Sequence, residues 1–317
     1  LTFIFRWIYH IFVANSYCII KNIMEVLSYW SEVIPHPLSA LAHATLQYHH
    51  GVQFIAMVGK HLLPQKDDDS QTNMEWWPDK AAFAGRRIPA DRSFRLVLET
   101  TNFQLALYED ARHKREALSL QGLSRDDVFH WIRDIIHRRG LDVDQLDYIR
   151  HYTLPDHPLL HGAPFEAPTQ SAQEVLATYR NNAELIISHF AVRYRNSSPI
   201  RVWPHHFDTG SLISLEEEHS IQRFVGVGLN IPDDLVNDYY FYVNHHISGG
   251  QPDYTSLTPF QNIGTWQESN PRIATLALSE IAGISTSAGQ VLAVKSFLVH
   301  AIEQSIAFIG QHQQRTS

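Results

Sequence analysis

The chain has 317 residues, 44% hydrophobic and 18% charged, which suits one large globular domain or two ordinary ones and excludes a disordered or fibrous chain. Its net charge of −8 argues against a general nucleic-acid binder, because neutralising phosphates takes a basic surface, so no nucleic-acid partner is expected. A single cysteine, Cys18, excludes an intrachain disulfide and a thiolate metal cluster and suits a reducing cytoplasm, which leaves the 20 histidines as the unusual feature.

Residues 1–37 read as an N-terminal extension. Arg6, His10, Asn15 and Lys21 interrupt the apolar run of residues 1–23, so no stable membrane span is expected, and the order of basic and apolar residues is wrong for a signal peptide. Met24 opens more ordinary composition and is read as the native start. A membrane-associated helix is the alternative reading of residues 1–23.

A first α+β lobe is expected over residues 38–140. Leu41, Tyr48, Val52, Ile55 and Leu62 make one stripe of a helix from Leu38 to Leu63; His49 lies at its edge and His50 nearly opposite, so at most one can face a shared interior. Asp67 to Ser70 reads as a solvated turn, lacking the spacing of a calcium loop. Strand patterns follow at Met74–Trp77 and Ala81–Gly85. Phe94–Glu99 and Phe103–Tyr108 then make an antiparallel hairpin, and Arg112 to Arg115 reads as solvated basic surface. Ser124 caps a helix to about Arg139 with Asp126 and Asp127 in its first turn.

Residues 141–170, rich in Pro and His, form a connector, and a second α+β lobe is expected over 171–317. Ser171 and Glu174 make a capping-box pattern opening a long helix to about Tyr194. Strands are expected at Ile200–Asp208, Ser211–Leu215, Ile221–Leu229 and Tyr239–His246, with Glu216–Glu218 at an exposed hairpin end. Residues 247–272 read as loop, and Ser287 with Gln290 opens a closing helix to about Ile309.

The fold class is therefore α+β, antiparallel sheets with long helices packed on them. The repeated order, and the echo between Trp77-Pro78 through Phe83 and Trp203-Pro204 through Asp208, fit a tandem duplication of a helix–strands–helix unit; shared order alone also arises by chance. Duplication would place two similar lobes with their sheets meeting or continuing across a pseudo-twofold.

Val58-Gly59-Lys60 ending a helix, the long helix leading to Trp203, Phe207-Asp208, and the aromatic strand around Tyr239 to Val243 resemble the DUF5996-like family of uncharacterised bacterial proteins. The order of elements matches over most of residues 38–310. This chain departs from the pattern in His205-His206 and in one extra residue between Trp203 and Phe207. The resemblance implies a fold and no activity, cofactor or catalytic residue.

Three functional readings follow from the residues. The first is a small molecule held in an aromatic and histidine-lined pocket by Trp203, Phe207, Tyr240, Tyr242 and Trp266, against the plainer reading of ordinary sheet packing. The second is a metal-dependent enzyme with a divalent transition metal, Zn or Fe. Two residues apart on a strand, His206 and Asp208 would share a face; His245 or His246 from a neighbouring strand would complete a two-His, one-carboxylate set, with His49 as a further ligand. Against it, strand imidazoles often just bond to nearby carbonyls, and no HExxH, GxSxG or P-loop pattern occurs. The third is an interaction module without an active site. The oligomeric state is not legible.

Overall fold

The computed structural model describes residues 26–109, 112–194, 196–215, 223–247 and 254–316. In order the elements are α1 (Leu38–Leu62), β1 (Glu75–Trp77), β2 (Ala82–Ala84), β3 (Phe94–Glu99), β4 (Gln104–Glu109), β5 (His113–Ser119), α2 (Arg125–His137), α3 (Gln170–Arg193), β6 (Arg201–Val202), β7 (Thr209–Ser214), β8 (Arg223–Asn230), β9 (Tyr240–Ile247), β10 (Thr265–Gln267), β11 (Ile273–Ala277), α4 (Leu278–Ala282) and α5 (Ser287–Thr316). They build two antiparallel sheets, one of five strands in the order β1-β2-β3-β4-β5 and one of six in the order β10-β11-β9-β8-β7-β6, with the helices packed against them, which is the expected α+β fold. The apolar run of residues 1–23, Glu216–Glu218 and Ser248-Gly249-Gly250 lie outside the described residues.

The helix at the centre is α1. Every residue from Gln47 to Gly59 is buried, so the one-stripe expectation is corrected: His49 and His50 are both inside. The reason is that α1 is enclosed on two sides. Small residues let the first sheet come close, with Leu98 and Leu120 over Gly51 and Gln71 backbone over Gly59. On the other side the connector lies along the helix: Tyr148 and Phe165 against Phe54, and His157 against His50. A helix apolar on most of its circumference needs such enclosure.

The two sheets meet edge to edge. Met74 donates to the Val202 carbonyl at 3.0 Å and Val202 to that of Met74 at 2.9 Å, and Arg201 faces Glu75 at 3.8 Å across the seam. Both strands at the seam run into the same turn. Trp77-Pro78 and Trp203-Pro204 are each followed by a left-handed residue four positions after the tryptophan, Ala81 (φ 45°) and Phe207 (φ 57°). The expected strand Ile200–Asp208 is thereby corrected to the short β6 and a turn: Pro204 has no N–H for a ladder, and Phe207 bends the chain back so that Trp203 donates to the Asp208 carbonyl.

Other boundaries moved for local reasons. Arg112 to Arg115 is exposed, as expected, and from His113 on it forms the start of β5, while Phe103 sits in the turn between β3 and β4 at φ 45°. Thr169, not Ser171, caps α3, its hydroxyl accepting from Ala172 N–H at 3.3 Å. Gln290 caps nothing. Its side chain accepts from Trp30 Nε1 (3.2 Å) and Val33 N–H (2.8 Å) and donates to the Val33 carbonyl (2.8 Å), while Asn182 of α3 exchanges two bonds with Ser31. Residues 30–33 thus strap α3 to α5. Residues Ser287–Gln311 of α5 are long and apolar enough to cross a membrane, but Val291, Val294, Leu298 and Ile302 on that helix are buried in the core.

In the second sheet, the face carrying Val225, Val227, Phe241 and Val243 packs into the core, and the opposite face has Gly210 and Gly228 beside Tyr242 and Gly226 beside Asn244. At Gly228 a Cβ would meet the Thr209 carbonyl at 2.4 Å and the Tyr242 ring at 2.6 Å. Gly228→Val is expected to cost about 1–3 kcal/mol by overpacking, whereas Gly310→Ala, with open space around it in α5, should be neutral or stabilising. Urea midpoints at constant m-value read both; an unmoved midpoint in the Gly228 variant refutes the Tyr242 placement.

Candidate functional site

The turn Trp203–Asp208 is held from three elements. Its Pro204 carbonyl accepts from His49 Nε2 and Gln53 Nε2 of α1, both at 2.9 Å, and Gln53 Oε1 accepts from the Tyr152 hydroxyl at 2.8 Å. The Phe207 ring stacks on His49 with centres 5.0 Å apart and 8° between planes, and leans on Phe83 at 5.1 Å. From α3, the Arg180 guanidinium lies 4.5 Å over Phe207, donates to the Phe207 carbonyl, and donates to Thr209 Oγ1 at 2.5 Å. Asp208 Oδ2 accepts from Tyr242 at 2.5 Å, a reach made across β8 where Gly228 leaves room.

The electrostatics follow from burial. Loss of water lowers the Arg180 pKa to about 10 against the supporting charge of Asp208, so it stays protonated. Burial, aided by Arg180 and outweighing the Pro204 bond, takes His49 down to about 4; burial and its basic neighbours take His50 to about 3. Both imidazoles are neutral near pH 7. The arrangement can clamp a left-handed turn; it presents no nucleophile beside a base.

The metal expectation is corrected. Among the described residues no group of three or more His, Cys, Asp or Glu side chains is placed to hold a metal ion. Three physical reasons separate the expected ligands. His206 sits in the turn and is exposed. β7 and β8 lie between β6 and β9, so the strands are not neighbours. Alternation in β9 sends His245 inward against Phe308 (4.7 Å) and His246 outward onto Phe224 (4.7 Å). His49 and Asp208 are engaged by Pro204 and Tyr242.

The expected aromatic set is brought together only in part. Tyr240 and Tyr242 share a face of β9, but the Tyr240 hydroxyl is held by Asn230 and Asp233, both at 2.8 Å. Phe207 is core, Trp203 is half-buried edge-on to His205, and Trp266 donates to the Thr258 carbonyl and packs by Phe260 and His245, on the opposite face from Tyr242. Between Phe207, Phe83, Tyr48 and Tyr239 there is a cavity of about 20 Å³, room for roughly one water.

A roomier site lies on the far face of the first sheet. Glu75, Trp77, Arg87, Arg95, Tyr108 and Arg112 help line an open cleft of about 270 Å³. Trp77 and Tyr108 share a small buried cluster with Ala82, Ala84, Val97 and Ala106. The two rings stand at 86° with centres 5.6 Å apart, and Arg112 covers the indole at 4.3 Å while pairing with Asp79 at 3.0 Å. Below the phenol, Glu99 is buried; burial opposes its charge, but hydrogen bonds from Tyr108 (2.5 Å), Gln104, Asn102 and Lys114 outweigh that and hold it at about 2. Pattern reading passed over this cleft. Its signal was the alternation of alanines with large apolar residues along β2 to β4, a strand face too thin to need a helix.

Comparison with protein-family models, with curated protein sequences and with solved structures returns no match to this chain.

Arg180→Met should lower stability by about 3–5 kcal/mol, since it strands buried Asp208 and frees the Phe207 carbonyl; equilibrium denaturation at pH 7 tests it, and a change below 1 kcal/mol rules the clamp out. His49 has its folded pKa near 4, below the ordinary 6.5, so the unfolded chain binds more protons between those values. Its contribution is present above about pH 6.5 and is lost as pH falls towards 4, roughly 3 kcal/mol in all. His49→Gln should flatten the stability profile over that interval relative to wild type; parallel profiles contradict the neutral, buried imidazole.

Proposed function

We propose that the chain is a small-molecule-binding protein whose ligand is a planar organic anion seated in the Trp77–Tyr108 cleft. The observation that carries this is an indole and a phenol, set nearly perpendicular, in a cleft of about 270 Å³ with three lining arginines against two lining glutamates. Aromatic walls with a few polar groups are what orient small ligands, and the volume is at the small end of such sites. The local basic excess stands out on a chain of net charge −8. Arg112, already stacked on Trp77, presents a planar fork suited to carboxylate. Tyr108 is fixed by Glu99, so the wall is rigid before any ligand arrives. The resemblance to the DUF5996-like family implies a fold and adds nothing about function. We assign the protein to the cytoplasm on the strength of its single cysteine.

Benzoate, indole-3-acetate and nicotinate, titrated calorimetrically, are the test set. At least one is expected to bind wild type saturably, and Arg112→Gln and Trp77→Phe should each weaken it about tenfold, equivalent to about 1.4 kcal/mol, without moving the ligand-free melting temperature of the Arg112 variant. Saturable binding that both substitutions leave untouched, or none by any probe, removes the cleft reading.

A further inference from the structure

On the connector side of α1, basic groups gather with few acids beside them: Glu166 and Asp156 bear on His157, and no carboxylate is among the groups acting on His50 or Arg150. Tyr148 stands edge-on to Phe54, carries the Arg125 guanidinium 4.6 Å over its face, and donates to the Arg125 carbonyl at 2.7 Å. One helical turn before Phe54, His50 is 1% exposed, its ring 5.2 Å from that of His157. Neither ring nitrogen of His50 has a hydrogen-bond partner, and neither has the buried Nε of Arg150. His157 Nδ1 accepts from Leu159 N–H at 3.3 Å, which puts the proton of the neutral ring on Nε2. Arg150 lies in the segment between Tyr148, fixed on Phe54, and Tyr152, fixed on Gln53.

Charge points the same way. After burial, the groups that lower His50 are His49, His157, Arg125 and Arg150, all basic, and Arg125 likewise lowers Arg150. Of the nearby acids, Asp156 pairs with His161 at 3.0 Å and Glu166 faces His43 at 3.9 Å, both also bearing on His157, and Asp126 acts on Tyr148. Among the described residues the side chains of Arg125 and Arg150 form no ion pair. Two guanidiniums and a histidine Nε2–H are donors only, and the missing partner is an acceptor with about two negative charges.

We propose that Arg125, Arg150, His157 and buried His50 bind the phosphoryl group of a small soluble molecule. The site shares no residue with the Trp77–Tyr108 cleft and stands or falls separately from it. The dianion would accept from both guanidiniums and from His157, and would supply the acceptor that His50 and Arg150 lack.

The experiment uses the full chain in phosphate-free, sulfate-free buffer, titrated calorimetrically with inorganic phosphate, glycerol 3-phosphate and acetate, and tested for sedimentation with phosphatidylcholine vesicles containing phosphatidic acid. Saturable binding of phosphate or glycerol 3-phosphate, at least tenfold stronger than acetate and at least tenfold weaker in Arg125→Gln and Arg150→Gln, is expected. Ligand-free Arg150→Gln should melt no lower than wild type, because removing a half-buried cation without an ion pair relieves its repulsion with Arg125. No saturable phosphate binding, binding unchanged in both variants, binding confined to the vesicles, or an Arg150→Gln chain that melts lower and does not respond to phosphate would each overturn the proposal.

Discussion

A guanidinium buried where the two sheets meet sets the geometry of the whole centre. Arg180 gives up nearly all its hydration, a cost that only close acceptors and an opposite charge can offset. It finds the Phe207 carbonyl, the Thr209 hydroxyl and the field of Asp208, and its flat face lies on Phe207 with Phe83 beyond. Phe207 can hold a left-handed backbone because its carbonyl and its ring are both fixed this way; a bulky residue there would otherwise relax. The turn in turn takes two bonds from α1, from His49 and Gln53 to Pro204.

From that clamp outward the rest of the packing is constrained. An α1 pinned through His49 must run beneath the seam, and its remaining circumference needs cover, which the Pro- and His-rich connector provides through Tyr148, Tyr152, His157 and Phe165. The connector is therefore a wall of the core, although it has almost no regular structure. The strap of residues 30–33 does the same at the other end, tying the start of α5 to α3 through Gln290 and Asn182.

Periodicity made the long elements legible. The span of α1, the Phe94 hairpin and the Ser124 cap were readable because each depends on neighbours a few residues away. The site was less so. Pairing His206 with Asp208 assumed strand alternation through a position where Phe207 takes φ 57°, and nothing in a phenylalanine announces that. Joining that pair to His245 assumed adjacent strands, yet strand order is a property of the whole chain and places β7 and β8 between them. The basic cluster by His50 escaped for the same reason: it draws on α1, the start of α2 and the connector, which only the fold brings side by side. What the residues did carry was the Trp-Pro echo, which recurs as two turns of matching handedness at the seam.

The seam also decides how the protein meets its own copies. Two open sheets have four rims of unsatisfied amide and carbonyl groups, and the Met74–Val202 pairing removes two of them by turning them on each other. Of the two that remain, β10 is only three residues long, and β5 begins His-Lys-Arg-Glu, a row of solvated charge that a second copy could cover only by stripping its water. Among the described residues eleven strands thus lie in one run with little template on which a fibril could grow.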